Sequence, residues 1–200
     1  MIITEKKPLQ EVLSALKGYG RIAVLGCGRC ATSCFTGGEE QVGQMREFLD
    51  SCGFKVVYCG VVEAQCDERL TAKALRDVPE ADAYVSMSCG SGSSALAGLT
   101  DKLVIPSNNT MYLGVIKRAG KYAQMCLMCG DCMLAETAGV CVNARCSKRL
   151  LNGPCGGSKD GKCESDPAAD CAWALIAERY RRSGRIADIG KRRKSRVARR

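Results

Sequence analysis

"RIAVLGCGRCATSCFTGGEE", residues 21–40, starts as one kind of structure and ends as another. Ile22, Ala23, Val24 and Leu25 form an unbroken apolar run that reads as a buried strand. The glycines and cysteines that follow mark a turn. From Gly38 to Ser51 the apolar residues Val42, Met45, Phe48 and Leu49 recur at helical spacing, with Glu39 and Glu40 in the favourable first turn. Working outward, "FKVVYCGVV" (54–62) predicts a second strand. "DERLTAKALRDV" (67–78) predicts a helix with Leu70, Ala74, Leu75 and Val78 on one face. "DAYVSMSC" (82–89) predicts a third strand, followed by a short helix from about Ser93 and a fourth strand in "KLVIPS" (102–107). Strands alternating with helices imply a parallel sheet with right-handed crossovers. The fold class expected is therefore α/β: an N-terminal Rossmann-like or flavodoxin-like parallel-sheet domain over residues 1–120.

Beyond Lys121 both periodicities fade and glycine and cysteine take over. Residues 121–188 read as a small irregular cysteine-rich module with a C-terminal helix, opened by Pro167 and ended near Gly184. So little apolar sequence implies that metal helps order the segment. Residues 189–200 read as a disordered basic tail. "KRRKSRVARR" (191–200) holds seven basic residues, and subtracting these from the formal charge of +9 leaves +2 over residues 1–190. A four-thiolate site carries about −2 whether it holds zinc or an oxidised [4Fe–4S] core, so three such sites would make the body acidic. The basicity belongs to the tail and argues against nucleic acid as the partner.

Fifteen cysteines and no histidine leave sulfur as the dominant ligand chemistry. The first twenty residues have charges where a signal peptide needs an apolar region, and no stretch is long and apolar enough to span a membrane. A cytoplasmic protein without membrane insertion is expected. In that reducing compartment clustered cysteines point to metal or redox chemistry rather than disulfides.

Eight cysteines, Cys126, Cys129, Cys132, Cys141, Cys146, Cys155, Cys163 and Cys171, follow the pattern C-x2-C-x2-C-x8-C-x4-C-x8-C-x7-C-x7-C. They suffice for two four-thiolate sites. The opening C-x2-C-x2-C run is similar to the ferredoxin way of wrapping a cubane, whereas zinc more often uses two separated C-x2-C pairs. Two [4Fe–4S] clusters are expected here, with zinc as the alternative occupant. Met125, Leu127, Met128, Met133 and Leu134 would form a water-poor shell. "NGPCGG" would let backbone N–H groups approach Cys155, and Arg145, Lys148 and Arg149 would offset cluster charge. Trp173 reads as a core anchor.

In the N-terminal domain Cys27, Cys30 and Cys34 replace the glycines of a phosphate-binding turn, Cys66 follows the second strand and Cys89 closes the third. In a parallel sheet these loops emerge at one carboxyl edge, where open α/β sheets place ligands. Five candidates for four positions suggest a third metal site, with one thiol spare. Cys52 and Cys59 read as packing residues. "CGSGSSALAG" lacks the lysine of a P-loop.

"CATSCFTGGEEQV", "SCGSG" and "CLMCGDCMLAETAGVCVNARCSKRLLNGPCGG…GKCE…DCAW" together resemble the small iron–sulfur subunit that accompanies the flavoprotein of acetogen-type methylenetetrahydrofolate reductase, and the cysteine-rich C-terminal extension of some reductase polypeptides. The resemblance covers about residues 15–187, with "LLNGPCGG" and "C-x2-CGDC" its most specific elements, and excludes the basic tail. It implies a non-catalytic electron-transfer subunit with two or three [4Fe–4S] centres. Its partners would be a flavin-containing catalytic subunit and an electron donor such as ferredoxin or a flavoprotein. The reaction served would be reduction of 5,10-methylenetetrahydrofolate to 5-methyltetrahydrofolate. Two other classes fit parts of the pattern: a zinc-structured nucleic-acid-binding protein using the tail, and a dithiol oxidoreductase using Cys27 and Cys30.

Overall fold

The computed structural model describes residues 1–190, and the basic run 191–200 lies outside them. The described residues divide into two compact units, one of residues 1–112 and 116–122, the other of residues 113–115 and 123–190.

In the first unit β1 (Ile2–Lys6) and α1 (Leu9–Ala15) precede a regular alternation. This runs β2 (Arg21–Cys27), α2 (Cys30–Ser33), α3 (Glu39–Ser51), β3 (Lys55–Val62), α4 (Glu68–Leu75), β4 (Ala83–Met87), α5 (Gly90–Ala97) and β5 (Leu103–Pro106). The strands β3-β2-β4-β5 form a four-stranded sheet in that order, every pair parallel. The α/β class expected from the alternation is the one observed. The order is that of the first four strands of a flavodoxin-like sheet, whose switch point lies between β2 and β4.

Both faces of the sheet are covered, which is why β2 is apolar throughout rather than alternating. Ile22 and Val24 face a core with Val12 and Leu16 of the α1 segment and Val42, Met45 and Leu49 of α3. Ala23 and Leu25 face the other, built with Val62, Tyr84 and Leu96 and flanked by Leu70, Ala74, Leu75 and Val78. Burying each such aliphatic side chain contributes roughly 1.5–3 kcal/mol. Local signals set the helix starts: the Gln41 side chain accepts from Gly38 N–H at 3.1 Å, and Asp67 caps α4 by accepting from Arg69 N–H at 3.0 Å. Helix α5 begins at Gly90, earlier than the expected Ser93, with Cys89 as its cap.

The loop after β2 folds tightly against the carboxyl edge of the sheet. Cys27 N–H donates to Gly37 O at 2.9 Å, and a Cβ built on Gly37 would lie 1.8 Å from Met87 O. Only a residue without a side chain fits there.

Strands β6 (Asn108–Arg118) and β7 (Lys121–Cys126) were not expected from the sequence. They join β1 in a three-stranded sheet of order β1-β6-β7, turning at Gly120 with φ +70°.

The second unit has its own small core. Helices α6 (Val142–Arg145) and α7 (Ala172–Arg182) contribute Val142, Trp173, Ile176 and Tyr180, with Met133 and Val140 beside them. Trp173 is the anchor anticipated, its indole N–H donating to Leu150 O at 2.8 Å. Helix α7 starts at Ala172 rather than at Pro167. Residues 166–170 are instead β9, paired antiparallel with β8 (Lys162–Cys163). Proline fixes a φ that suits an extended strand as well as a helix start, and here the ladder takes it. Cys52 caps the end of α3 in an exposed position, contrary to its reading as a packing residue, whereas Cys59 packs partly buried against the first core.

Candidate metal centres

The carboxyl edge of the parallel sheet gathers the first set of thiols. Cys27 ends β2, Cys30 lies in α2, Cys66 follows β3, and Cys89 follows β4. Burial pushes the Cys66 thiol above its ordinary value, and Cys89, Cys27 and Cys30 lie close enough to push it further in the same direction. That mutual repulsion is what four thiols brought together without a countercharge produce. Cys34 is turned elsewhere. Its thiol lies 3.7 Å from Ile2 O and beside the Tyr122 phenol, which donates to Ser33 O at 2.9 Å. Burial raises Tyr122, and Cys34 adds to the rise. Of the five candidates, then, Cys27, Cys30 and Cys89 lie near Cys66, while the Cys34 thiol contacts Ile2 O.

Behind Cys66 and Cys89 sits a buried polar plug that sequence reasoning did not identify. The amide of Gln65 donates to Ser86 Oγ at 3.0 Å, and the hydroxyls of Ser86 and Ser88 lie 2.9 Å apart. Ser93 donates to Ser86 Oγ at 2.9 Å, and Thr71 donates to Gln65 O at 2.8 Å. Each of the two cysteines immediately follows a member of this network. The "VSMS" alternation that runs through the end of β4 carried a signal for it, since Ser86 occupies a buried strand position and Ser88 the next same-face position just beyond it.

In the second unit Cys146, Cys155, Cys163 and Cys171 line one recess together with Lys148, Glu164, Ala172 and Trp173. Its empty volume is about 330 Å³, open solvent included. Ser147 Oγ lies 3.7 Å from Cys163 Sγ, and that contact with the Ser165 and Asp166 backbone holds Cys163 below the ordinary thiol range. Lys148 forms an ion pair with Glu164. Its ammonium is raised chiefly by that carboxylate, with Cys155 and Cys163 adding to the effect. Lys148, paired with Glu164, therefore stands near two of the four thiols.

The remaining four lie along a different stretch. Met128 N–H donates to Cys126 Sγ at 3.3 Å. Asn143 Nδ2 lies 3.6 Å from Cys129 Sγ, which a backbone hydrogen bond at Asp131 and then this amide hold below its usual value. Asn143 belongs to α6, whose cap is Cys141, so the C-x2-C-x2-C loop and the Cys141 turn are neighbours. Arg145 ties the same helix to Met125, at 3.7 Å from its sulfur. The water-poor shell expected here forms only in part: Met133 is buried, but Met128 is 64% exposed and Leu134 is 40% exposed.

Among the described residues no three cysteine, aspartate or glutamate side chains are already arranged as a metal-ligand group. The residue types nonetheless suit soft-metal chemistry: four cysteines line one recess, Cys27, Cys30 and Cys89 lie near Cys66 at the sheet edge, and the chain has no histidine to compete. No described helix is long and apolar enough to cross a membrane.

These features define a class, a parallel α/β unit joined to a cysteine-rich module, with several cysteines near one another in each. Residues 105–197 match the model of a family described as methylene-tetrahydrofolate reductase C terminal, a little under half of the chain. The match takes in the whole eight-cysteine module and, of the parallel sheet, only the end of β5. No curated protein and no solved structure matches the chain.

Proposed function

We propose that this chain is an electron-transfer iron–sulfur subunit of a methylenetetrahydrofolate reductase complex. In it the chain would pass electrons to the flavin of a catalytic partner and make no carbon bond itself. The observation that carries the reading is the recess lined by Cys146, Cys155, Cys163 and Cys171 within the segment similar to the reductase C-terminal family. These four would hold one [4Fe–4S] core. Cys126, Cys129, Cys132 and Cys141 would hold a second, and Cys27, Cys30, Cys66 and Cys89 a third metal site.

When bound, such a core supplies a one-electron carrier whose potential follows local charge, hydrogen bonding and exposure. The chain's contribution is to tune these. Lys148 places positive charge beside Cys155 and Cys163. Ala172 and Trp173 wall the recess with apolar surface. Asn143 directs an amide at Cys129. The Lys148 charge and the Asn143 amide favour thiolate over thiol, whereas the apolar wall would keep water from a core held there. Electrons would flow toward the flavin of a catalytic subunit, and the likeness to the reductase C-terminal family supports a reductase as that partner.

Anaerobic purification followed by iron, sulfide and zinc analysis tests the reading, with electron paramagnetic resonance of the reduced protein. About four iron and four sulfide per cubane are expected. Cys155→Ser should remove one cluster's worth of iron and Cys66→Ser the metal of the first unit, while Cys34→Ser should leave the metal content unchanged. Iron-free protein containing only zinc would overturn the electron-relay role. Loss of metal in Cys34→Ser, with retention in Cys66→Ser, would overturn the ligand assignment in the first unit.

A further inference from the structure

The first unit also holds a cleft that no cysteine lines. It lies between α3 and the junction of β5 with β6, with an empty volume of about 510 Å³ including its open mouth. Met45 and Phe48 of α3 and Met87 at the end of β4 give it apolar walls. Two thioethers around an aromatic ring suit a flat, polarizable guest, because sulfur packs favourably on ring edges. An apolar slot with a few polar groups is the ordinary form of a small-molecule site.

Two polar groups specify the guest further. Asn108 lines the cleft and is 4% exposed. Its amide nitrogen donates to Thr36 O and Ser88 O, both at 3.3 Å, yet its Oδ1 is buried with no partner. An unpaired buried acceptor calls for an N–H or O–H donor. Lys6 stands on the same cleft with its ammonium 3.4 Å from Gln44 Oε1 and without a carboxylate partner among the described residues, whereas Lys7 is paired with Glu11. An uncompensated cation beside an apolar slot selects an anion.

We infer that this cleft binds a small aromatic acid that carries an N–H or O–H donor, its ring between Met45, Met87 and Phe48, its donor on Asn108 and its anionic group on Lys6. The inference stands apart from the metal centres, since none of their ligands contributes to the cleft.

The test is calorimetric titration of the full, anaerobically purified chain with 4-hydroxybenzoate, benzoate and phenol, which present both features, the anion alone and the donor alone. Binding of 4-hydroxybenzoate should be saturable, and benzoate and phenol should each bind about tenfold more weakly. Lys6→Glu, a surface change, should weaken 4-hydroxybenzoate about tenfold and leave phenol unaffected. Gln44→Trp should fill the mouth and abolish all three. Absence of saturable 4-hydroxybenzoate binding up to about 10 mM overturns the assignment, a concentration near the weakest affinity such a site could use. Equal binding of the three compounds, or binding indifferent to Lys6→Glu, overturns it as well. Metal content measured on the same samples shows whether the metal reading stands or falls separately.

Discussion

Replacing Gly37 with alanine should damage the first unit out of proportion to one added methyl group. The new Cβ would lie 1.8 Å from Met87 O, 2.9 Å from the Met87 carbonyl carbon and 3.0 Å from Ala31 Cβ. Two of these atoms are backbone of the central strand, which cannot rotate aside as a side-chain tip could. The loop must therefore retreat by roughly 1.5 Å to reach ordinary contact. Overpacking of this kind costs about 1–3 kcal/mol. Retreat also breaks the 2.9 Å bond from Cys27 N–H to Gly37 O, and losing it costs about 1 kcal/mol more. A total near 2–4 kcal/mol corresponds to a fall in Tm of roughly 8–16 °C for a unit of this size. Because the same loop carries Cys30, on the proposed ligand assignment the variant should also lose the metal of the first unit while keeping that of the second. Anaerobic thermal unfolding followed by circular dichroism, with metal analysis alongside, measures both effects. A Tm within about 2 °C of the parent, with full metal content, would show that the loop is not packed on the sheet edge as described.

Other changes have equally definite outcomes. Trp173→Phe keeps an aromatic anchor but strips Leu150 O of its donor, and should cost the second unit about 1 kcal/mol in anaerobic urea titration. Trp173→Ala should cost about 3–5 kcal/mol, because it also opens a cavity against Ile176 and Tyr180. Equal stabilities for the two would show that the indole is not in the core. Asp82 is held below the ordinary carboxylate range, first by Arg21 backbone N–H and then by its guanidinium, while Glu80 is lowered by the same guanidinium. A folded pKa below the unfolded one contributes stability that is present above the unfolded value of about 4 and is lost as pH falls through the folded value. Asp82→Asn should therefore lower the Tm at neutral pH and flatten its decline between about pH 5 and 2. A variant with an unchanged acid limb would remove Asp82 from that account.

The parallel sheet was readable because its central strands are buried on both faces and its helices on one. Ile22 to Leu25 and Ala83 to Met87 are apolar or small without interruption, and α3 and α4 carry their apolar residues on single stripes. The β6–β7 hairpin offers no such pattern. Met111, Val115 and Ile116 are exposed on β6, so neither alternation nor a continuous apolar run announces the strand. Helix α1 is short, and only Val12 within it is fully buried. Pro167 misled because its fixed φ serves two kinds of element. The placement of Cys27, Cys66 and Cys89 at one edge follows from parallel topology, which sends every strand's end there. Which of the five cysteines turns away does not follow, since it depends on the one-turn helix α2 directing Cys34 toward Ile2 and Tyr122. In the second unit the spacing gave eight thiols but no pairing. The split between the recess-forming four and the rest comes from the path of β8, β9 and the cap of α7.

The seryl plug beneath Cys66 and Cys89 has one further consequence. Ser86, Ser88 and Ser93 share protons along contacts of 2.9 to 3.3 Å, and either oxygen of the Ser86–Ser88 and Ser88–Ser93 pairs can be the donor. Hydroxyl hydrogens swivel without moving a heavy atom. An altered charge at the neighbouring sulfurs can thus be answered by turning a few dipoles in place, so that this wall of the unit accommodates a change of electrical state while its backbone stays still.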